Sequence, residues 1–235
     1  MNATASTTAT DILRLRAHET LAAGTMAFHF DKPPGFAFKP GQAIELLLRD
    51  ASGQETGHAF SLVSAPFEEQ LVIATRMRDT PYKRALGALL PGAAVRFEGP
   101  FGAMTLHKKT QRAAVFIAGG IGITPFMSML RQSVRDGMPQ RIALIYSNRG
   151  RKDAAFIDEL EAIARSNPGL RLVSTMTEEG GGLVDAAMIS AAARDLPSPI
   201  FYVVGPPAMV EAMRETLAAA GIDEDDIRSE DFYGY

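Results

Sequence analysis

The chain has 235 residues with a formal net charge of −3, of which 46% are hydrophobic, 22% charged and none cysteine. That length holds one large or two smaller globular units, and the lack of cysteine excludes a disulfide framework, a thiol nucleophile, a thiolate zinc site and an iron–sulfur cluster held by this chain. Charge is unevenly spread: residues 71–112 carry 8 Lys/Arg against 2 Asp/Glu, whereas residues 1–70 carry 5 against 8 and residues 113–235 carry 11 against 17. A basic block inside an acidic chain points to an anionic ligand or partner. Its cations lie between strand-like segments rather than along one helix, so no nucleic acid is expected. The four histidines, His18, His29, His58 and His107, are scattered without metal-site spacing, and no metal is expected.

Residues 1–10 are small and polar, without a basic start, and read as a disordered tail rather than a signal peptide. No segment supplies the roughly 18 uninterrupted apolar residues of a membrane span, so a cytoplasmic protein with no membrane partner is expected. Short strands are predicted at Ile12–His18, Thr25–Phe30, Ala43–Leu48, Ala59–Val63, Leu71–Arg76 and Ala94–Glu98, separated by turns such as Pro33-Pro34-Gly35 and Lys39-Pro40-Gly41. One helix, Pro81–Leu90, interrupts them. Six such strands suit a small antiparallel barrel or sandwich. From about Gln111 the pattern becomes apolar strand, glycine turn, helix. Strands are predicted at Ala114–Ala118, Ile142–Tyr146, Leu170–Met176 and Ile200–Val204, and helices at Pro125–Asp136, Asp153–Ser166, Asp185–Ala193 and Pro207–Ala220. Strands this apolar, spaced by helices, belong in a doubly wound α/β sheet covered on both faces.

Three helix starts carry the chemistry. The strand Val115–Ala118 runs into Gly119-Gly120-Ile121-Gly122-Ile123, after which Thr124-Pro125 opens a helix as N-cap and first-turn proline. Glycines here serve either tight strand–helix packing or close approach of a phosphate to free amides at the positive end of a helix. It is not a P-loop, since no Gly-Lys-Ser/Thr follows. In Arg76-Met77-Arg78-Asp79-Thr80-Pro81-Tyr82-Lys83-Arg84, Thr80 is placed as cap and Lys83 and Arg84 in the first turn. There they oppose the helix dipole unless an anion binds. A third helix opens at Gly205-Pro206-Pro207, again at the carboxyl edge of the sheet.

His58-Ala59-Phe60-Ser61-Leu62-Val63-Ser64, Gly99-Pro100-Phe101-Gly102, Gly119–Pro125 and Gly205-Pro206-Pro207-Ala208-Met209, together with the turn Phe38–Gln42, occur in the order found in the ferredoxin–NADP⁺ reductase-like flavoproteins. The chain resembles that family, in a short form without an iron–sulfur domain, over roughly residues 12–235. The resemblance implies a flavin-binding antiparallel β-barrel at residues 11–108 and a nicotinamide-binding doubly wound α/β domain at residues 109–235. It implies FAD (FMN less so), with NADPH or NADH as co-substrate. Hydride then passes to the flavin, and electrons go on to a separate redox protein or small-molecule acceptor. Carried over, Ala59, Phe60, Ser61 and Thr75 belong beside the flavin, with Ser61 near the reacting ring. Arg76, Lys83 and Arg84 belong at its phosphates. Gly119, Gly120, Gly122 and Thr124 would cradle the nicotinamide cofactor's pyrophosphate, and Gly205, Pro206 and Met209 would line its nicotinamide side. A terminal aromatic, Phe232 or Tyr235, would cover the flavin as in relatives, or else dock against the sheet edge.

Two positions depart from the family. His58 stands where an arginine usually grips a flavin phosphate, and Val204 stands where a cysteine often precedes Gly-Pro-Pro. Ser147 and Arg149, in the polar and basic run after the second sheet strand, replace the carboxylate that an NAD-preferring site places there and favour NADPH. Other functions compatible with these residues are a non-catalytic flavin-binding sensor and a free-flavin or ferric reductase.

Overall fold

The computed structural model describes residues 11–233. The expected tail at residues 1–10 and the candidate Tyr235 lie outside the described residues. In the first half β1 (Asp11–Ala22), β2 (Thr25–Asp31), β3 (Ala43–Arg49), β4 (Glu55–Ser61), β5 (Gln70–Arg76) and β6 (Ala94–Phe101) form one antiparallel sheet in the order β4-β3-β6-β1-β2-β5. The period-two pattern explains it. Leu13 and Leu15, Phe28 and Phe30, Ile44 and Leu46, Leu71 and Ile73, and Val95 and Phe97 are each two residues apart, and all enter one interior. The sheet rolls until its edges meet: Leu62 bridges Ile73, and the Val63 N–H donates to the Val72 carbonyl at 2.8 Å. The expected barrel is thus closed at that seam by a bridge rather than a full ladder. β4 also begins at Glu55, before the expected Ala59.

α1 (Pro81–Gly87) covers the barrel next to this seam. The Thr80 hydroxyl accepts the Lys83 N–H at 3.2 Å, and Pro81 supplies a first-turn residue whose missing N–H costs nothing. Tyr82 and Leu86, one turn apart, enter the barrel core, and the Tyr82 hydroxyl donates to the Leu46 carbonyl at 2.9 Å.

In the second half β7 (Ala114–Gly119), α2 (Thr124–Arg135), β8 (Ile142–Asn148), α3 (Ile157–Ser166), β9 (Leu170–Met176), α4 (Ala186–Ala193), β10 (Ile200–Gly205), α5 (Pro207–Ala219) and β11 (Ile227–Asp231) build a parallel sheet in the order β11-β10-β7-β8-β9. β7 and β10 are buried along their whole length. α2 and α3 pack on one face of the sheet and α4 and α5 on the other. The strand order reverses between β7 and β10, and open α/β sheets bind ligands at the carboxyl ends of such a pair.

Three details differ from expectation. α3 begins at Ile157 rather than Asp153, because Arg151–Asp153 forms a short 3₁₀ turn and Phe156 then takes φ +62°. Thr124 is the first residue of α2, not its cap: its hydroxyl donates to the Ile121 carbonyl at 3.0 Å, after a 3₁₀ turn at Gly120–Ile123. β11 was not expected as a strand.

The halves share a core. Ala27, Val63, Val72 and Ala74 of the barrel join Phe126, Met127 and Leu130 of α2 in one apolar cluster. The Ser128 hydroxyl donates to the Ser64 carbonyl at 2.7 Å. The connecting segment is clamped at His107. The Arg112 carbonyl can only accept, so Nε2, 3.2 Å away, carries the ring hydrogen, and Nδ1 accepts from the Tyr202 hydroxyl at 2.9 Å. Burial lowers the His107 pKa, and the Arg228 and Arg112 charges lower it further. Among the described residues no helix is long and apolar enough to cross a membrane.

Candidate functional site

A cleft of about 380 Å³ opens where the barrel seam meets the carboxyl edge of the parallel sheet. Its barrel wall is the end of β4 (His58, Ala59, Phe60 and Ser61), the end of β5 (Ala74, Thr75 and Arg76), and Thr80 and Lys83 at the start of α1. Ile121 and Thr124, after β7, form the opposite wall, and Glu230 to Tyr233 close the rim. The alternation that buries Leu62 in the barrel leaves Ser61 facing the cleft, while Phe60 serves both the core and the cleft.

The barrel wall is held by side chains. Lys83 is 9% exposed. Its ammonium donates to the Thr75 hydroxyl and lies 4.8 Å from the centre of the Phe60 ring, with no carboxylate at ion-pair distance among the described residues. Burial pulls its pKa down to about 8. Keeping it charged at neutral pH therefore costs roughly 3 kcal/mol, at about 1.4 kcal/mol per unit. A buried, unneutralised cation in a cleft makes Lys83 a candidate functional residue. His58 lays one ring face on Tyr82, with centroids 4.0 Å apart. Its partial burial and the Lys83 charge lower its pKa, against a smaller opposing effect of Glu45. It is therefore a neutral ring near pH 7. Burial raises the pKa of Glu230.

The sheet wall is held by backbone. A Cβ on Gly122 would lie 2.3 Å from the Val204 carbonyl oxygen, and one on Gly119 would strike Met209 Sδ at 2.3 Å. Gly119 and Gly205 themselves approach so closely that a Cβ on Gly205 would sit 3.2 Å from the Gly119 Cα. These three glycines allow β7, β10, Pro206 and Met209 to meet. Gly120 differs: its φ is +54° and nothing lies within 4 Å of the space a Cβ would fill. Both explanations of the glycine run therefore apply, at different residues.

A second groove, about 420 Å³, continues past Arg76 and Arg78 and is lined also by Arg149, Lys152, Asp153 and Glu178. Asp153, buried, pairs with Arg76 at 3.1 Å and with Arg149 at 3.4 Å, tying β5 to the turn after β8. Ser147 stands opposite Gly119 in the β7–β8 register. The structure does not bring Arg84 into the cleft: its guanidinium pairs with Asp79 on the outer side of α1. Phe232 is half-buried at the rim, its N–H bonded to the Gly205 carbonyl at 2.9 Å.

Residues 116–215 match the family model for the oxidoreductase NAD-binding domain. The chain is 31% identical over 218 residues to ferredoxin–NADP reductase B of Sorangium cellulosum (strain So ce56), covering 86% of this chain and 88% of that protein. This chain belongs to the ferredoxin–NADP⁺ reductase-like flavoproteins. The reductase is also 28% identical over 215 residues to the propane 2-monooxygenase reductase component of Rhodococcus jostii (strain RHA1), with 83% of this chain and 56% of that one covered. It thus spans little more than half the length of that oxygenase component. Its fold superposes on the ferredoxin NADP⁺ reductase from Neisseria gonorrhoeae with bound FAD and NADP at a TM-score of 0.80 and 21% identity, covering 94% and 98% of the two chains. It is an oxidoreductase.

The residues present in this reductase fit the cofactors its family implies. The buried Lys83 ammonium lacks an anion, the Phe60 and Ser61 wall offers an aromatic face and a hydroxyl, and Gly120 leaves open space at the strand–helix turn. Arg78 and Thr80 of the basic run also line the cleft, as do Ile121 and Glu230, which are not among the candidate site residues of the sequence. For Glu230 a signal existed: it is two residues from Phe232, on the same face of an extended segment.

Proposed function

We propose that this flavin-dependent NAD(P)H oxidoreductase holds FAD on the barrel, residues 11–108, and the nicotinamide cofactor on the α/β domain, residues 109–235. We further propose NADPH as the preferred donor and a separate redox protein or small molecule as the acceptor. The observation that carries this reading is the cleft itself, where Phe60 and Ser61 on one wall face Ile121 and Thr124 on the other. A bound flavin would supply the conversion of a two-electron hydride donor into electrons released singly or in pairs. The chain's own residues supply placement. Thr75 and Lys83 hold the phosphate end, Phe60 and Ala59 exclude water from one ring face, and the Ser61 hydroxyl can donate to the reacting edge of the ring. Gly120, with open space where a Cβ would stand, lets a pyrophosphate approach the backbone of the strand–helix turn. Gly205, Pro206 and Met209 shape the nicotinamide side, and Phe232 covers the entrance until the nicotinamide displaces it.

Ser147 and Arg149, with Lys152 beside them, suit the 2′-phosphate of NADPH. The basic block offers fewer free charges to an anionic acceptor than its composition suggests. Four of the eight cations in residues 71–112, Arg76, Arg84, Arg96 and Arg112, are already paired with carboxylates. Steady-state oxidation of NADPH and NADH with an artificial acceptor tests the reading. Arg149→Ala is expected to raise KM for NADPH on the order of tenfold, as loss of a charge-assisted contact does, and to leave KM for NADH nearly unchanged. Equal effects on both donors would remove the 2′-phosphate assignment, and no flavin-dependent oxidation of either would remove the function.

A further inference from the structure

The family's phosphate grip is changed in this chain, and the structure shows what stands in its place. His58 occupies the arginine position, but its ring is spent on Tyr82 and is neutral near pH 7. Arg76 is committed to Asp153 across the domain junction, and Arg84 to Asp79 outside the cleft. Arg78 lies exposed at the rim. The cation buried in the cleft wall is the Lys83 ammonium, 9% exposed and held against Phe60 by the Thr75 hydroxyl.

We propose that Lys83 is the cation that seats the flavin phosphate in this reductase, with His58 acting as a neutral stacking ring, and that flavin binding is therefore coupled to proton uptake. The inference rests on the flavin reading given above. An arginine would stay charged at every accessible pH. A buried lysine does not: its pKa in the free protein is about 8, and a phosphate beside it restores the charge on binding. Above that pH, binding must draw a proton from solvent onto the Lys83 amine. The same exchange explains why the cation is tolerated, because the phosphate relieves a charge that the empty cleft holds unpaired.

Other charged groups share the cleft with Lys83: His58 from β4 with Glu45 of β3 behind it, Arg76 from β5, Arg78 after it, and Glu230 and Asp231 in β11, while Asp79 and Arg84 pair at the start of α1. His58, with a lowered pKa, is already neutral where Lys83 titrates. Lys83→Arg keeps every one of these neighbours and removes only the titrating ammonium, so it separates Lys83 from them.

The test is equilibrium binding of FAD and of riboflavin to flavin-stripped full-length protein, by fluorescence and by calorimetry in two buffers of different ionisation heat. For wild type, FAD affinity is expected to fall about thirtyfold between about pH 7 and about pH 9.5, with about 0.9 proton taken up per FAD near pH 9. Riboflavin has the same ring and no phosphate, so its affinity carries any ring ionisation but not this loss. Lys83→Arg is expected to bind FAD with a flat profile over that range. Lys83→Met is expected to bind FAD on the order of tenfold to a hundredfold more weakly at about pH 7, and riboflavin as wild type does. An unchanged FAD profile in Lys83→Met and Lys83→Arg, or an equal pH loss for riboflavin, would overturn the proposal and leave the flavin reading standing. Folded wild-type protein that binds neither flavin at any pH would overturn the reading, and this proposal with it.

Discussion

The two walls of the cleft are built on opposite principles. The sheet wall, Ile121 and Thr124, is backed by a backbone device in which Gly119, Gly122 and Gly205 let β7, β10 and Met209 approach as closely as glycine permits. The barrel wall, from His58 to Ser61 and from Thr75 to Lys83, is a side-chain device that keeps a charge where water is scarce. The first gains stability from its own tightness, while the second gives up stability to be ready for an anion. Substitutions should therefore move stability and binding together on the sheet wall and in opposite directions on the barrel wall.

The sharpest way to break this contrast is at the glycines. Gly122→Ala places a methyl group against the Val204 carbonyl, which is backbone and cannot turn aside. A loss of about 3 kcal/mol or more in chemical denaturation is expected, with poor yield of folded protein. Gly120→Ala meets no atom and bears only its positive φ, so a loss of about 1 kcal/mol is expected together with weaker nicotinamide binding. Equal losses at both positions would show that the glycine run is uniform packing.

The opposite sign is expected at Lys83. Lys83→Met in flavin-free protein is expected to raise stability by up to about 3 kcal/mol near neutral pH, since it removes an uncompensated buried charge. A thermal melt of the flavin-free proteins measures it. A variant no more stable than wild type would mean that water reaches the ammonium and that the wall costs nothing.

Much of this contrast is legible in the sequence, and the reason for the remainder is physical. The glycine run announces itself because only glycine tolerates those approaches, and the barrel strands because their alternation has one buried face. Lys83 and Arg84 look alike on paper. Tyr82 and Leu86 set the phase of α1, which turns Lys83 inward and Arg84 outward. Which side of that helix meets the second domain depends on how the halves pack, and no local pattern carries that. β11 escaped notice because Ile227-Arg228-Ser229-Glu230-Asp231 is polar; it is an edge strand, ordered by the free side of β10. Phe156 is an aromatic residue in a left-handed conformation, and nothing in the sequence there signals the later start of α3.

A smaller effect bears on how rigidly the two walls face each other. His107 clamps the connecting segment in its neutral form, and its pKa in the folded chain is lowered. Below about pH 6.5 the unfolded chain binds the proton first, so stability declines as pH falls through that region and recovers as pH rises. His107→Gln is expected to flatten that part of the stability profile measured by denaturation between about pH 7.5 and about pH 5. An unchanged slope would move the acid sensitivity to another group.

The central claim is that the two walls bring a nicotinamide and a flavin into contact across one cleft. Anaerobic addition of NADPH to the flavin-loaded protein, followed by visible absorbance of the flavin, tests it most directly. Rapid bleaching, slowed in Gly120→Ala, is the result expected. Flavin that stays bound and coloured with both NADPH and NADH would contradict it.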